Sequence, residues 1–249
     1  MRSFLFVPAD SERKLAKGPS SGPDGLILDL EDSVATDRKP IARDMALAYL
    51  RGANRSGPKL YVRVNALDTG LTLGDLAVVM QGKPDGIVFP KCVGQRDLDL
   101  LATYLDALEA REGTTPGSTR ILTIATESAA AVLALTAAPA KHARLMGHSW
   151  GGEDLMADLG ALAKGPAPGH YDDTFRFART VNLMASVAAG VTAYDTVYPT
   201  SRTSRACAPR RTRRGAWAMA ARSPSIPTRS RSFMKSSRRR RRKSIGPRR

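Results

Sequence analysis

The sequence predicts an α/β fold, a TIM (β/α)8 barrel whose eighth strand is missing. Seven short apolar runs rich in β-branched residues alternate with segments of helical patterning over residues 1–199. Near-continuous apolar runs are typical of parallel strands that are covered on both faces. The chain has 249 residues, and one such barrel needs about 250. Seven strands alternating with helices in so short a stretch favour a barrel over an open sheet.

The predicted elements follow one another in strict alternation. The strands are SFLFV from Ser3, GLILDL from Gly25, KLYVRV from Lys59, GIVFP from Gly86, RILTIA from Arg120, RLMG from Arg144 and VTAYD from Val191. The helices cover Asp37 to Leu50, Leu71 to Met80, Arg96 to Arg111, Ser128 to Leu135, and Thr174 to Ala189. This order indicates successive βαβ units.

Basic charge is concentrated behind the predicted barrel. The chain has 39 Lys and Arg against 23 Asp and Glu, and the segment Arg202 to Arg249 holds 18 of the basic residues and no acidic one. Subtracting those 18 leaves 21 basic against 23 acidic side chains in the part before it. The net charge of +16 therefore describes the tail and is no argument for a nucleic-acid-binding fold.

The segment 200–249 is rich in Arg, Ser and Pro and poor in large apolar residues. Such a composition predicts disorder. We therefore expect two regions, an incomplete TIM-barrel domain at 1–199 and a disordered basic tail at 200–249. The run from Arg238 to Lys243 has two interpretations, a nucleic-acid patch and a solvated tail, and the second is favoured.

Cysteine usage and the first residues bear on location. The chain has two cysteines, Cys92 and Cys207, without a disulfide or metal-ligand spacing, which suits a reducing compartment. The opening MRSFLFVPADSE has an apolar run too short for a signal peptide, and no stretch approaches the about 20 apolar residues of a membrane span. We expect a cytoplasmic protein that does not enter membranes.

Two carboxylates follow neighbouring predicted strands. Glu127 closes the strand from Arg120, and Asp154 comes after a glycine pair behind the next strand. Active sites of barrels lie at the carboxyl ends of the strands, and Mg²⁺ is often held by two carboxylates and water. The alternative for each acid taken singly is a favourable charge in the first turn of a helix. Together they predict a magnesium site.

Arg63 lies inside an apolar strand, where an unpaired guanidinium is costly to bury. We expect it to bind a carboxylate or enolate of a substrate, and a structural salt bridge to Asp29 or Glu31 is the alternative. Gly151 and Gly152 offer backbone N–H groups at a helix start, which suits binding of a substrate carboxylate as well as a tight turn.

Lys39 and Arg43 are four residues apart and share one face of the first long predicted helix. They are candidates for binding CoA phosphates. A solvated helix face explains the same spacing equally well.

Taken in order, several segments together resemble one known family. They are RSFLFVPA, LILDLEDSVA followed by KPIAR, VRVN, IVFPK, TES, GGEDLMADLG and AYDTVY. The sequence resembles the HpcH/HpaI aldolase and citrate lyase family, on its citrate lyase beta-subunit-like side, over residues 1–199. The combination is specific, although each piece alone is weak.

The resemblance implies a magnesium-dependent TIM barrel, usually trimeric, that cleaves or forms a carbon–carbon bond in a 3-hydroxyacyl-CoA thioester such as citryl-CoA or malyl-CoA. A lyase reaction of this kind releases an acyl-CoA and a 2-keto acid. Carried over by motif, Glu127 and Asp154 bind Mg²⁺, and Arg63 with Glu127 contacts substrate. Arg63 is then the catalytic residue that stabilises the enolate. Asp29 and Asp32 hold metal-bound waters as outer ligands.

The sequence departs from the family after residue 199. Members continue with an acidic helix, an eighth strand reading roughly LAIHP, and a lid that lends a catalytic Asp to a neighbouring subunit. Regrouping possible codons of Ala220 to Ser237 one base earlier permits GGTLAIHPDQVPIIHEVF, and Thr200 to Arg214 likewise permits DFKDLKGLRAEADAA. We therefore expect the tail to be a frameshifted reading and the chain as written to be inactive and prone to aggregation.

Two other functions remain open from the sequence. A metal-dependent aldolase acting on a free 2-keto acid would share the carboxylate pair, although DLEDSV and KPIAR favour the CoA branch. A nucleic-acid-binding protein would use the basic tail, and this is the less favoured alternative.

Overall fold

The computed structural model describes residues 1–167 and 170–196 and the backbone of Trp217–Arg222. Eight strands form a closed barrel in chain order. The first seven run parallel to one another, as the alternation of strands and helices predicted. Their carboxyl ends therefore meet at one face of the barrel, where the predicted site residues lie.

The strands are β1 Ser3–Pro8, β2 Gly25–Asp29, β3 Lys59–Arg63, β4 Gly86–Phe89, β5 Arg120–Ile124, β6 Leu145–Ser149, β7 Thr192–Tyr194 and β8 Trp217–Arg222. The α-helices are α1 Glu12–Lys17, α2 Lys39–Gly52, α3 Thr72–Val79, α4 Gln95–Arg111, α5 Ala129–Ala137, α6 Gly152–Asp158 and α7 Asp173–Ala189. Short 3-10 turns cover Pro19–Ser21, Thr36–Arg38, Leu67–Thr69 and Met80–Gly82.

Local sequence explains several of these boundaries. Ser128 caps α5 by accepting a hydrogen bond from the N–H of Ala131 at 3.2 Å. Gly190 ends α7 in the left-handed conformation, which glycine adopts without steric cost. The sequence did not predict α1, which is short and buries a single leucine. Among the described residues, no helix has the length and apolar character needed to cross a bilayer.

Two apolar layers build the barrel. Alternate strand residues point inward, where the rings of Phe4, Tyr61 and Tyr194 meet edge to face, with centroids 5.1 and 5.2 Å apart in the two pairs that include Phe4. A Cβ at Gly86 would lie 2.5 Å from the Tyr61 ring, so glycine is needed there. The other strand residues face the helices, where residues such as Leu28 are fully buried.

As predicted, the backbone that the structure describes has seven parallel strands without a parallel eighth, but the prediction that no strand closes the barrel is wrong. β8 pairs antiparallel with both β1 and β7, with Met219 opposite Phe4 and Arg222 opposite Ala193. The prediction of unpaired edges on β1 and β7 fails with it. The physical reason is that exposed strand edges accept any extended segment, and the run WAMAA from Trp217 is the least polar part of the tail. The direction of β8 differs from that of a complete (β/α)8 barrel, in which all strands are parallel.

The predicted disorder of 200–249 fails at Trp217–Arg222, which is a strand. The rest of that prediction falls on residues 200–216 and 223–249, which lie outside the described residues, as does the basic run from Arg238 to Lys243.

Candidate active site

Arg63 ends β3 and lies among carboxylates from the loop after β2. Its Nε and Nη2 donate to the two oxygens of Asp29, each at 2.7 Å. Its Nη1 lies 2.7 Å from Glu31 Oε2 and 3.4 Å from Asp32 Oδ2. The guanidinium also stacks over Phe6, 4.9 Å from the ring centroid. The salt-bridge alternative for Arg63 is therefore observed, and its substrate role stays a prediction.

Burial and the contacts with Arg63 shift the pKa values of Asp29 and Glu31 in opposite directions. Burial alone would raise the pKa of Asp29, but the Arg63 charge and its hydrogen bonds hold it below the usual range. Burial raises the pKa of Glu31, and Arg63 only partly offsets this. Asp32 is half exposed. Because both Asp29 oxygens are occupied by Arg63, the observed role of Asp29 is to orient that guanidinium, and the outer-ligand role of Asp29 and Asp32 stays a prediction.

Glu127 follows β5 and is almost fully buried, with 4% of its surface exposed. Its side chain lies against Gly151, where an added Cβ would approach the Glu127 Cγ to 2.4 Å. Burial raises the pKa of Glu127 well above its usual range, and the nearby charges of Asp154 and Glu31 raise it further. The first glycine of the pair thus has a clear function, since it makes room for a buried carboxylate.

Asp154 lies in the first turn of α6, beside the end of β6. Lys91, two residues after β4, connects it with Glu127. The Lys91 main-chain N–H donates to Glu127 Oε2 at 2.5 Å. Its ammonium lies 2.8 Å from Glu31 Oε1 and 3.3 Å from Asp154 Oδ1. The predicted pair of Glu127 and Asp154 is therefore brought to one place, at the carboxyl ends of neighbouring strands.

The site has more negative than positive charge. Its five carboxylates, which face the two cations Arg63 and Lys91, are Asp29, Glu31, Asp32, Glu127 and Asp154. Within residues 1–167 and 170–196, no three Asp, Glu, His or Cys side chains form a ready metal cage. Mg²⁺ does not need one, because it keeps several waters and is commonly bound by one or two carboxylates. The donor chemistry and the excess negative charge of the site fit that ion.

Lys39 and Arg43, the candidates for CoA phosphates, make internal contacts. The Lys39 ammonium donates to Asn65 Oδ1 and to the carbonyls of Leu30 and Glu31. Arg43 Nε lies 2.5 Å from Asp75, whose side chain is fully buried. These contacts support the loop after β2 and the start of α3. The CoA-phosphate role of Lys39 and Arg43 stays a prediction, and their observed role is structural.

A second set of contacts supports the end of β6. Trp150 is buried and donates from its indole Nε1 to Asp195 Oδ1 at 2.7 Å, and Arg179 of α7 lies 2.5 Å from Asp195 Oδ2. Trp150 also meets Tyr171 edge to face. This framework fixes the segment that leads into Gly151. The sequence analysis missed both Lys91 and Trp150. Each comes just after an apolar strand, and the same position relative to a strand is what indicated Glu127.

The chain matches the HpcH/HpaI aldolase/citrate lyase family over residues 2–223. The protein belongs to this family. It is 33% identical to the citrate lyase subunit beta of Escherichia coli strain K12 over 197 residues, which cover 79% of this chain and 63% of that protein. It is 32% identical to a (3S)-malyl-CoA thioesterase of Cereibacter sphaeroides, with the same shares covered.

A solved relative has the same architecture. The citrate lyase beta subunit of M. tuberculosis, complexed with oxaloacetate and magnesium, superposes with a TM-score of 0.57 at 31% identity and covers 77% of this chain and 76% of that one. The resemblance noted in the sequence is thereby confirmed. The chain spans somewhat less than two thirds of the length of the curated relatives it matches.

Proposed function

We propose that the site is that of a magnesium-dependent carbon–carbon lyase acting on a 3-hydroxyacyl-CoA thioester of the citryl-CoA or malyl-CoA type. The observation that carries the proposal is the meeting of Glu127 and Asp154 at Lys91, with Arg63 in the same cluster. Support for the cofactor comes from the related M. tuberculosis subunit, which was solved with magnesium and oxaloacetate. Support for a CoA thioester comes from the relative named malyl-CoA thioesterase.

In this proposal Glu127 and Asp154 hold the metal, and the excess negative charge around them favours a divalent ion. When bound, magnesium supplies a Lewis acid that lowers the energy of charge developing on substrate oxygens. Arg63, oriented by Asp29, would stabilise the enolate that forms as the carbon–carbon bond breaks. Gly152 begins α6, so its N–H has no partner within that helix and is offered to the substrate carboxylate.

We further propose that residues 200–249 are a frameshifted reading of the family's C-terminal part. Codon regrouping recovers both an acidic helix and the LAIHP segment, and β8 runs in the direction opposite to that of a barrel strand. In this view a frame-corrected chain forms the trimer expected for the family, while the chain as written lacks the residues that complete the site.

The direct test is calorimetric titration of the full chain with MgCl₂. Glu127→Gln and Asp154→Asn each remove a ligand charge and should weaken Mg²⁺ binding by at least about tenfold. Asp173→Asn is the matched control, because that carboxylate is 98% exposed at the start of α7. Unchanged Mg²⁺ affinity in both ligand variants would overturn the site assignment. Cleavage of malyl-CoA and citryl-CoA, followed in the frame-corrected chain, tests the reaction separately.

A further inference from the structure

Lys91 contacts both proposed metal ligands through different parts of the same residue. Its main-chain N–H donates to Glu127, while its ammonium reaches Glu31 and Asp154. The backbone adopts a φ of +52° there, a left-handed conformation that is uncommon outside glycine. Conformations of this kind persist where surrounding contacts enforce them, and they are frequent at functional sites.

The geometry points to Lys91 as a positioning residue with a second property: its ammonium and the divalent cation compete for Asp154. This inference rests on the proposed function, since it takes Glu127 and Asp154 as the ligands. In the absence of metal the ammonium offsets part of the negative charge of the cluster and links Asp154 to Glu31. The ammonium lies 3.3 Å from Asp154 Oδ1, so a divalent ion bound by Asp154 would repel it and displace it toward Glu31 and solvent.

The Lys91 side chain is exposed enough for its ammonium to move away from Asp154 when a metal ion binds there. Lys91 is 37% exposed, and Asp154 is 28% exposed, so the ammonium contacts solvent while it bridges the acids. The ammonium has two further carboxylate partners, Glu31 at 2.8 Å and Asp32 at 3.9 Å, which can hold it when it leaves Asp154. The main-chain bond to Glu127 does not depend on where the ammonium lies, so Glu127 stays in place throughout.

The test distinguishes the contribution of the Lys91 ammonium from that of its main-chain N–H. Lys91→Met removes the charge and leaves the N–H, the chain length and the backbone strain of a non-glycine residue. Lys83→Met is the matched control, because Lys83 is exposed at the opposite end of β4 and is the other described non-glycine residue with positive φ, at +48°. Both variants and the parent chain are titrated with MgCl₂ by calorimetry, and each is melted with and without the salt.

We expect Lys91→Met to bind Mg²⁺ at least about tenfold more tightly than the parent, because a positive charge within a few ångströms of the ion is removed. Lys83→Met should bind as the parent does. Without metal, Lys91→Met should have a lower melting temperature than the parent. MgCl₂ should raise its melting temperature by more than it raises that of the parent, because tighter binding to the folded state stabilises it more. A purely structural lysine would give the opposite result, a weaker Mg²⁺ affinity together with lower melting.

Equal or weaker Mg²⁺ binding by Lys91→Met, with the parent binding normally, would overturn the competition while leaving the proposed function intact. Loss of binding in Glu127→Gln with no change in Lys91→Met would overturn it in the same way. If neither the parent nor Lys91→Met binds Mg²⁺, the ligand assignment itself fails and the competition fails with it. The two failures are therefore distinguishable.

Discussion

The side chain of Glu127 occupies the space that a side chain at position 151 would fill. An added Cβ on Gly151 would lie 2.4 Å from the Glu127 Cγ and 3.1 Å from its Oε1. Contacts this short force one group to move, and the Glu127 carboxylate, held by the Lys91 N–H, would have to shift. Gly151 of the GGEDL segment thus leaves the space that the buried Glu127 side chain occupies.

The first prediction follows from this contact. Gly151→Ala should displace the Glu127 carboxylate and weaken Mg²⁺ binding by at least about tenfold, because metal ligands must be held within fractions of an ångström. Calorimetry measures it. Gly52→Ala is the control, since a Cβ at the end of α2 meets nothing within 4 Å. Full Mg²⁺ affinity in Gly151→Ala would show that Glu127 is not a ligand.

A second prediction concerns Arg63. Lysine cannot reproduce the two parallel hydrogen bonds that Arg63 gives to Asp29. Arg63→Lys should lower the free energy of unfolding by about 1.5–3 kcal/mol, the contribution of a hydrogen bond to a charged group. Urea denaturation measures this loss, with the exposed Arg13→Lys as control.

A substrate role and a purely structural role of Arg63 predict different losses of turnover relative to stability in Arg63→Lys. If Arg63 also contacts substrate, turnover in the frame-corrected chain should fall far more than stability does. A large loss of stability with nearly normal turnover would leave only the structural role that the contacts with Asp29 and Glu31 already show.

The third prediction concerns acid stability and lies away from the site. Glu109 is fully buried and pairs with Arg144. Burial opposes its ionisation, but hydrogen bonds from Arg144 and from the backbone of Thr119 lower its pKa to about 2. The folded-state pKa is below the unfolded value, so the stabilisation is present above about pH 4.5 and is lost as the pH falls toward 2.

This single group should contribute about 3 kcal/mol at neutral pH. Glu109→Gln should lower the free energy of unfolding at pH 7 and flatten its decline between pH 5 and pH 2 relative to the parent. Denaturation at several pH values measures both effects, and the exposed Glu12→Gln is the control. Parallel pH profiles for the parent and Glu109→Gln would contradict the assignment.

The contrast between what the sequence predicted and what it missed has a physical basis. All seven parallel strands were found, because strands covered on both faces appear as apolar runs. The proximity of Glu127 and Asp154 was predicted because each carboxylate follows one of two neighbouring apolar runs. Lys91 was missed because no local sequence pattern encodes its left-handed φ. Its long side chain also contacts acids that follow two other strands, Glu31 after β2 and Asp154 after β6, and these are tertiary contacts.

The antiparallel β8 was missed for a different reason. Strand pairing with β1 and β7 is a tertiary contact, and the predicted disorder rested on the composition of a tail of about fifty residues, which obscured the short apolar run at Trp217. The helix α1 was missed because six residues with one buried leucine give too few turns to show a periodicity.

The fourth prediction concerns the chain end. A chain truncated after Thr196 exposes the edges of β1 and β7 and should give a lower soluble yield than the full chain, because unpaired edges promote aggregation. The frame-corrected chain should exceed both in soluble yield and in cooperative unfolding, and it alone should cleave acyl-CoA. Equal behaviour of the full and frame-corrected chains would show that the tail is native and the frameshift proposal wrong.

The direction of β8 determines at which rim of the barrel this strand ends. Trp217 lies opposite Phe6 and Ala220 opposite Ser3, so β8 runs from the carboxyl end of β1 toward its amino end. A parallel eighth strand would travel upward and release the following residues beside Arg63 and Glu127. Because the strand is reversed, its last residue, Arg222, lies opposite Ala193 toward the amino ends of β1 and β7, away from the strand ends that carry Arg63 and Glu127.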